Sequence, residues 1–163
     1  MTSQKNENKK RGLDVTDQEI IKQLQIDGRI SNTQMAKDLG TSEATVRTRL
    51  NRLIKEKYIQ IVAVSNPLKL GFETVGVMKI DVDITKIDHV TEELSKLKPI
   101  WFIVHATGGS DIYTEFVTKS PKELNDLIFN QIYKIDGVIR TNTSMILKYV
   151  KRRYDWGTAM DDT

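Results

Sequence analysis

The spacing of apolar residues changes from helical to alternating near Lys57, and this change limits the folds open to the chain. Before Lys57, apolar residues recur every three or four positions, which is typical of amphipathic helices. After it, they alternate with polar residues in several segments, which is typical of half-buried strands. The 163 residues are enough for two small domains, each with its own core. We therefore predict a helical domain followed by an α+β domain.

Signals for three helices lie between residues 16 and 56. Side-chain caps are expected at Thr16, at Ser31, and at Ser42 or Thr41. The first two caps are each followed, at the spacing of a capping box, by Glu19 or Gln34. Gly40 should provide the left-handed turn before the third helix, which runs to about Glu56. Three helices with such a turn are typical of a helix-turn-helix domain.

The third helix has two chemically different sides. One side is apolar and is expected to face the core through Val46, Leu50, Leu53 and Ile54. The other side is polar and basic, and a helix of this kind fits the major groove of DNA. Arginine suits that role because its planar fork can donate two hydrogen bonds to guanine or phosphate. A solvated, salt-bridged surface helix is the alternative interpretation.

Base contacts are expected from the N-terminal half of this helix, because that end usually enters the groove. The predicted base-reading residues are Glu43, Ala44, Arg47 and Thr48. The predicted phosphate contacts are Asn51, Arg52 and Lys55. The helix start adds Ser42 and Thr45 to the predicted DNA-binding set. Arg49 lies nearer the core edge and is predicted to brace the domain instead.

Positive charge is concentrated in the helical part of the chain. The formal net charge is +3. Residues 1 to 60 carry 12 Lys or Arg against 8 Asp or Glu, a balance of +4. Residues 61 to 148 carry 10 against 11, and residues 149 to 163 carry 3 against 3. The local basic excess makes double-stranded DNA a natural partner for the N-terminal domain.

Composition excludes several kinds of site. The chain has no cysteine and only two histidines, His89 and His105, so neither a disulfide framework nor a metal site is expected. We find no P-loop, dinucleotide fingerprint or nucleophile–base set, so an enzyme is not expected. No apolar run approaches the roughly 18 residues of a membrane span, and the N-terminus lacks the core of a secretion signal. A cytoplasmic, nucleoid-associated protein is therefore expected.

The second part of the chain shows the order strand, helix, strand, strand, helix, strand. The first strand is expected to run with alternating burial from Gly76 to Ile84, and the last from Ile139 to Leu147. Ser120 and Pro121 should open the second helix of this part. The order is that of a ferredoxin-like βαββαβ domain, in which both helices pack on one face of the sheet. The other face of the sheet would be left open to solvent, so we expect a homodimer that covers it.

These patterns divide the chain into five segments. They are a flexible basic arm (1–12), a helix-turn-helix, winged-helix-like DNA-binding domain (13–57), a hinge strand and linker (58–72), a ferredoxin-like domain (73–150) and a tail (151–163). The arm is either a solvated tail or a DNA-backbone contact through Lys9, Lys10 and Arg11. The tail is either disordered after Lys151 or docked on a neighbouring subunit through Tyr154 and Trp156.

Four stretches, taken in order, carry a resemblance to a known family. They are "LDVTDQEIIKQLQIDGRISNTQMAKDLGTSEATVRTRLNRLIKEKYI", "SNPLKLGF", "VHATGGSDIY" and "IDGVIRTNTSMIL". Over about residues 13 to 150 the chain resembles the Lrp/AsnC, or feast/famine, transcription regulators. Each motif alone is modest, but the ordered set is specific.

The resemblance implies a homodimer, often assembled into tetramers or octamers, that binds operator DNA through paired recognition helices. It also implies a small effector, typically an amino acid, rather than a cofactor. Carried onto this sequence, the effector-binding candidates are Thr107, Gly108, Gly109 and Asp111, with Thr141, Thr143 and Ser144 as weaker ones. Asp111 could pair with an α-ammonium group, and exposed amides near the glycines could hold a carboxylate. Alternatively, Gly109 and Ser110 form an ordinary hairpin turn, and Asp111 bonds its own backbone.

Three functions remain open at this point. The first is a ligand-responsive, sequence-specific transcription regulator. The second is an architectural, sequence-tolerant DNA-organising protein without an effector, although the modest net charge argues against many phosphate contacts. The third, an enzyme or a sensing subunit of one, lacks a recognisable catalytic set.

Overall fold

The computed structural model describes residues 12–154, which form two compact units. The first unit comprises the described residues up to Ala63 together with 151–154, and the second spans Val64–Val150. Predictions about residues 1–11, and about Trp156 in the tail, lie outside the described residues. Within the described part of the chain, no helix is long and apolar enough to cross a membrane.

The first unit contains the three predicted helices. They are α1 (Val15–Ile26), α2 (Asn32–Asp38) and α3 (Glu43–Lys55). Their buried core consists of Ile20, Ile21, Met35, Ala36, Val46 and Leu53. Gly40 has a φ of 61°, so it makes the left-handed turn expected between α2 and α3. Ile54 is 42% exposed and is not part of this core, contrary to our expectation.

The cap of α1 differs from the prediction. Asp14, not Thr16, caps the helix: its carboxylate accepts from the Asp17 amide at 3.0 Å. The Asp17 carboxylate in turn accepts from the Asp14 amide at 3.1 Å, which completes a capping box two residues earlier than predicted. A carboxylate cap at this position is also favoured by the helix dipole.

The other two caps of this unit are confirmed. Ser31 accepts from the Gln34 amide, and Ser42 accepts from the Thr45 amide, each at 3.1 Å. The Gln34 side chain does not complete a capping box in the way we expected. It donates instead to Asp38, at 2.6 Å, one turn further along α2.

The hinge strand predicted after α3 is absent from this single chain. Residues 59–66 carry no strand pairing, and Ile61 and Val62 are 48% and 68% exposed. A β-rich sequence forms a strand only when a neighbouring strand completes its backbone hydrogen bonds. The segment ends in a short 3₁₀ turn, Pro67–Leu70, which is capped by Asn66.

The second unit has the predicted ferredoxin-like order. Its elements are β1 (Thr74–Val82), α4 (Ile87–Ser95), β2 (Ile100–His105), β3 (Ile112–Thr118), α5 (Pro121–Asp126) and β4 (Val138–Met145). The strands form one antiparallel sheet in the order β2-β3-β1-β4. Helix α5 continues through a π-helical turn, Leu127–Gln131, and a 3₁₀ turn, Ile132–Lys134. The Ser120 cap is confirmed by its bond to the Glu123 amide at 3.3 Å.

Both helices of this unit pack on one face of the sheet. Their buried residues share a single core with the sheet: Val90 and Leu94 from α4, Leu127 and Ile132 from the α5 segment, and Met78, Ile80, Ile112 and Phe116 from the strands. The strand pairing places Phe102, Val104 and Tyr113 on the opposite face. Phe102 and Val104 are each 38% exposed, so this second face remains partly apolar and open.

Two predicted strand ends are wrong. Ile84 is 65% exposed and begins a 3₁₀ turn, because β1 stops at Val82. Strand β4 stops at Met145, so Leu147 lies outside it. Asp81 pairs with Arg140 while Val82 pairs with Val138, and this register shift leaves Ile139 unpaired and 65% exposed.

Gly76 marks the tightest packing in the sheet. A Cβ atom there would lie 2.4 Å from the Ser144 carbonyl oxygen and 2.6 Å from the Phe116 ring. We predict that Gly76→Ala lowers the free energy of unfolding by about 1–3 kcal/mol, because it overpacks the core. Urea denaturation monitored by circular dichroism measures this change. Gly28→Ala is the control, since its nearest contact would be 3.8 Å; equal stability of both variants would contradict the prediction.

Candidate nucleic-acid interface and effector turn

Helix α3 separates its residues into a core side and a solvent side, as predicted. Val46 and Leu53 have no exposed surface. Most of the predicted DNA-binding residues are exposed: Ser42, Glu43, Ala44, Arg47, Thr48, Asn51 and Lys55. Thr45 and Arg52 are half-buried. The structure therefore places the predicted set on one helix and leaves the residues predicted to read bases accessible.

A small polar cluster surrounds the start of α3. Thr33, from the first turn of α2, donates to Glu43 Oε2 at 2.9 Å. Arg47 lies 3.7 Å from Glu43 Oε1, one helical turn along. Thr48 donates to the Ala44 carbonyl at 2.8 Å, so its hydroxyl is left mainly as an acceptor. Thr33 was missed in the sequence because it lies on a different helix from its partner.

Behind α3, a buried carboxylate joins it to α1. Asp17 has no exposed surface, and its two oxygens accept from Arg49, at 2.9 Å, and from Arg52. Arg49 also donates to Asp14 at 2.7 Å, so it reaches both acids of the α1 capping box. The predicted bracing role of Arg49 is confirmed. Arg52, predicted to hold phosphate, also binds Asp17, and its side chain is 23% exposed. We call the cluster of Asp14, Asp17, Arg49 and Arg52 the buried brace.

The charge state of Asp17 follows from these contacts. Burial alone would raise the pKa of Asp17, because a charged group loses its hydration. Hydrogen bonds from the Asp14 amide, Arg52 and Arg49 outweigh burial and lower the pKa of Asp17 below its ordinary value. The carboxylate is therefore ionised at neutral pH and holds both guanidinium groups in place.

A groove of about 450 Å³ runs along α3 beside this brace. Its lining residues are Ala44, Thr45, Thr48, Arg49 and Arg52. The two guanidinium groups offer hydrogen-bond donors of the kind that contact phosphate oxygens, whereas the Thr48 hydroxyl already donates to the Ala44 carbonyl. The groove therefore extends the candidate interface from the N-terminal end of α3 toward its middle.

The predicted effector turn connects β2 to β3. Thr107, Gly108 and Gly109 are exposed, and the two glycines have φ angles of 87° and 120°. Asp111 is half-buried, and its carboxylate accepts from the Val82 amide at 2.9 Å. Asp111 therefore fastens the turn to the end of β1, and the bond is to a neighbouring strand rather than to its own turn.

Two charged residues near this turn were missed in the sequence. Arg140 pairs with Asp81 at 2.8 Å, across the β1–β4 register. Hydrogen bonds from Arg140, and then from Ser110, lower the pKa of Asp81. Because 59 positions separate Asp81 from Arg140, only the strand pairing brings them together. They place a cation and an anion near the predicted effector residues.

The three weaker effector candidates do not lie together on one face of the sheet. Thr141 and Thr143 pair with Ile80 and Met78, so they lie on the face that carries the helices. Ser144 pairs with Val77 and lies on the opposite face. Thr141 is the nearest of the three to the turn, and its amide donates to the Tyr133 hydroxyl at 3.3 Å.

The fold and these sites define a class of protein: a helix-turn-helix domain joined to a ferredoxin-like domain with an exposed glycine turn. Comparison with known families agrees with each part. Residues 13–54 match the AsnC-type helix-turn-helix domain, and residues 76–156 match the Lrp/AsnC ligand-binding domain. The chain belongs to the Lrp/AsnC family of transcriptional regulators, which are not enzymes.

Individual relatives are found in Pyrococcus species. An uncharacterized HTH-type transcriptional regulator of Pyrococcus horikoshii is 38% identical over 90% of this chain and 91% of its own length. The HTH-type transcriptional regulator FL11 of Pyrococcus furiosus is 33% identical over 85% of this chain and 92% of its own.

Solved structures share the fold. AsnC of E. coli has a TM-score of 0.77 at 21% identity, covering 88% of this chain and 98% of its own. A transcriptional regulator of Neisseria meningitidis, solved as a complex with L-Met, has a TM-score of 0.78 at 18% identity. That match covers 90% of this chain and 97% of the Neisseria chain.

The buried brace makes a direct prediction about stability. Asp17→Asn should lower the free energy of unfolding of the helix-turn-helix unit by about 3 kcal/mol, because it leaves two arginines without their shared charge. Chemical denaturation of the full chain measures this loss. Asp38→Asn is the matched control, since Asp38 is exposed and accepts only from Gln34 among the bonds described. A loss of similar size in both variants would contradict the role of the brace.

The same brace predicts a pH dependence. A lowered pKa in the folded state means that the Asp17 contribution is complete above the ordinary value of 3.8 and is lost as pH falls through the folded-state pKa. The stability difference between wild type and Asp17→Asn should therefore be constant near neutral pH and shrink below pH 3.8. Denaturation curves for both proteins across acidic pH test this. A difference that grows on acidification would contradict it.

Proposed function

We propose that this transcriptional regulator binds specific DNA sequences, assembles at least into dimers, and responds to a small effector of the amino-acid class. The single observation that supports sequence-specific DNA binding is that α3 has one buried side and one exposed side. Its inner side is fixed by a buried ion pair, while Arg47 and Glu43 remain exposed. A rigid helix with exposed polar side chains at its N-terminal end suits the reading of base edges in the major groove.

The open face of the sheet supports self-association. Phe102 and Tyr113 lie on it with ring centroids 6.3 Å apart, and Trp101 beside them is 56% exposed. Exposed apolar patches of this kind commonly form subunit interfaces. A two-fold dimer would present two recognition helices to sites about 34 Å apart on DNA, one helical turn. The matching operator would be pseudo-palindromic.

The β2–β3 turn supports the effector part of the proposal. Its two left-handed glycines leave the backbone open, since a Cβ atom at either position would meet nothing within 4 Å beyond its chain neighbours. Backbone amides in such a turn can hold a carboxylate, and Asp111 can attract an ammonium group. These are the two charged groups of an amino acid. Binding would act on DNA affinity by favouring one assembly state over another.

Arg47 provides the test of sequence-specific binding. Selection from a random duplex pool should enrich a two-fold symmetric motif with wild-type protein. Arg47→Ala should relax the preference at one or two base pairs per half-site, with a loss of about 1–3 kcal/mol of discrimination. Lys119→Ala is the control, because it removes the same charge from an exposed position in the other unit.

Each outcome of this selection has a clear meaning. A motif that is unchanged by Lys119→Ala but relaxed by Arg47→Ala supports base reading. Binding without an enriched motif, with steep salt dependence, would contradict the proposal and favour an architectural DNA-binding protein.

Asp111→Asn provides the test of effector binding. Asparagine keeps an acceptor for the Val82 amide but removes the negative charge. We predict that an amino acid which alters wild-type DNA affinity loses at least tenfold in potency with Asp111→Asn, a change worth about 1.4 kcal/mol. Titration of DNA binding with each of the common amino acids measures this effect. Unchanged potency would contradict a role for Asp111 in the site.

A further inference from the structure

We infer that Thr33 is a specificity-determining residue, which positions Glu43 so that Glu43 and Arg47 together read a cytosine and a neighbouring guanine in each half-site. The inference rests on the proposed function, since it assumes that α3 enters the major groove. It assigns a role to a residue outside the recognition helix. It also names the base pairs that the helix should prefer.

The contacts of Glu43 show how its position is set. Its Oε2 atom accepts from the Thr33 hydroxyl at 2.9 Å, and its Oε1 atom faces Arg47 at 3.7 Å. One partner lies on α2 and the other on α3, so the carboxylate is held from two directions. Without the Thr33 bond, only the contact between Glu43 and Arg47 would remain of these two. Both side chains are flexible, so they could then lie against each other along the helix.

The chemistry of the pair selects the bases. A carboxylate only accepts hydrogen bonds, and each of its oxygens keeps a free lone pair after one bond. In the major groove, cytosine offers an amino donor, whereas guanine offers two acceptors. Glu43 therefore favours cytosine and disfavours guanine by charge repulsion, which is discrimination by exclusion. Arg47, as a forked donor, favours guanine.

The exposed setting of the pair explains why a positioning residue matters. The Glu43 and Arg47 side chains are 48% and 59% exposed. Exposed ion pairs hold side chains only weakly in one geometry. A neutral hydroxyl anchored on the neighbouring helix restricts Glu43 without neutralising its charge. The Glu43 side chain then loses less conformational entropy when it binds DNA.

The experiment compares Thr33→Val with wild type in base-resolved selection of DNA sites. Valine keeps the shape of threonine but cannot donate, so only the hydrogen bond is removed. We expect the preference for cytosine at one position per half-site to fall from about tenfold to about threefold. Affinity for random duplex should change by less than about twofold, because phosphate contacts remain. Unfolding curves establish that the variant is folded.

Two further variants complete the design. Thr85→Val is the matched control, since Thr85 also donates to a carboxylate, that of Asp83 at 2.7 Å, but lies in the other unit. It should leave every base preference unchanged. Glu43→Gln keeps the size of the side chain and adds a donor, so it should accept purines at the cytosine position.

The outcomes separate this inference from the proposed function. A weaker cytosine preference in both Thr33→Val and Glu43→Gln, with the Arg47-dependent guanine preference retained, supports it. Unchanged preference in Thr33→Val beside altered preference in Glu43→Gln overturns the positioning role of Thr33. Unchanged preference in both overturns the assignment of cytosine to Glu43. A wild-type protein that enriches no motif would instead overturn the proposed sequence-specific function.

Discussion

Asp17 is a charge without access to water, and its ion pairs with Arg49 and Arg52 fix how α1 meets α3. A buried charge is costly unless it is paired and hydrogen-bonded, so the two helices are held in the geometry that satisfies it. The same pairs occupy the inner arginines of α3 and leave Arg47 beside Glu43 on the outside. The exposed surface of α3 therefore depends on ion pairs made on its inner side.

The second unit uses a similar device on a smaller scale. Asp111 accepts from the Val82 amide and so holds the glycine turn at the end of β1, while Asp81 pairs with Arg140 and joins β1 to β4. The glycines themselves stay exposed with left-handed backbones. In both units, a polar contact holds the backbone in place, and the groups next to it remain exposed to a binding partner. These groups are Arg47 and Glu43 in the first unit and the turn glycines in the second. For the first unit that partner is DNA, and for the second we propose an amino acid.

The sequence pattern predicted the helices and turns correctly where their formation depends only on residues close together in the sequence. Helical spacing located α1 to α3, and Gly40 located the turn, since each depends on a few neighbouring residues. The α1 cap was misplaced because Thr16 and Asp14 both satisfy the local rule, and the Arg49 side chain that binds Asp14 lies 35 positions away in the sequence. The Asp81–Arg140 and Thr33–Glu43 contacts depend on pairing between elements. The predicted hinge strand is not formed in this single chain, because a strand also requires a partner strand.

We propose that Arg47, in the N-terminal half of α3, reads guanine in the major groove. Guanine N7 methylation interference tests it directly, because N7 is a major-groove acceptor for arginine. On the enriched duplex, the account predicts that methylation of one guanine per half-site blocks wild-type binding but leaves binding by Arg47→Ala unaffected. An interference pattern identical for the two proteins would contradict the claim.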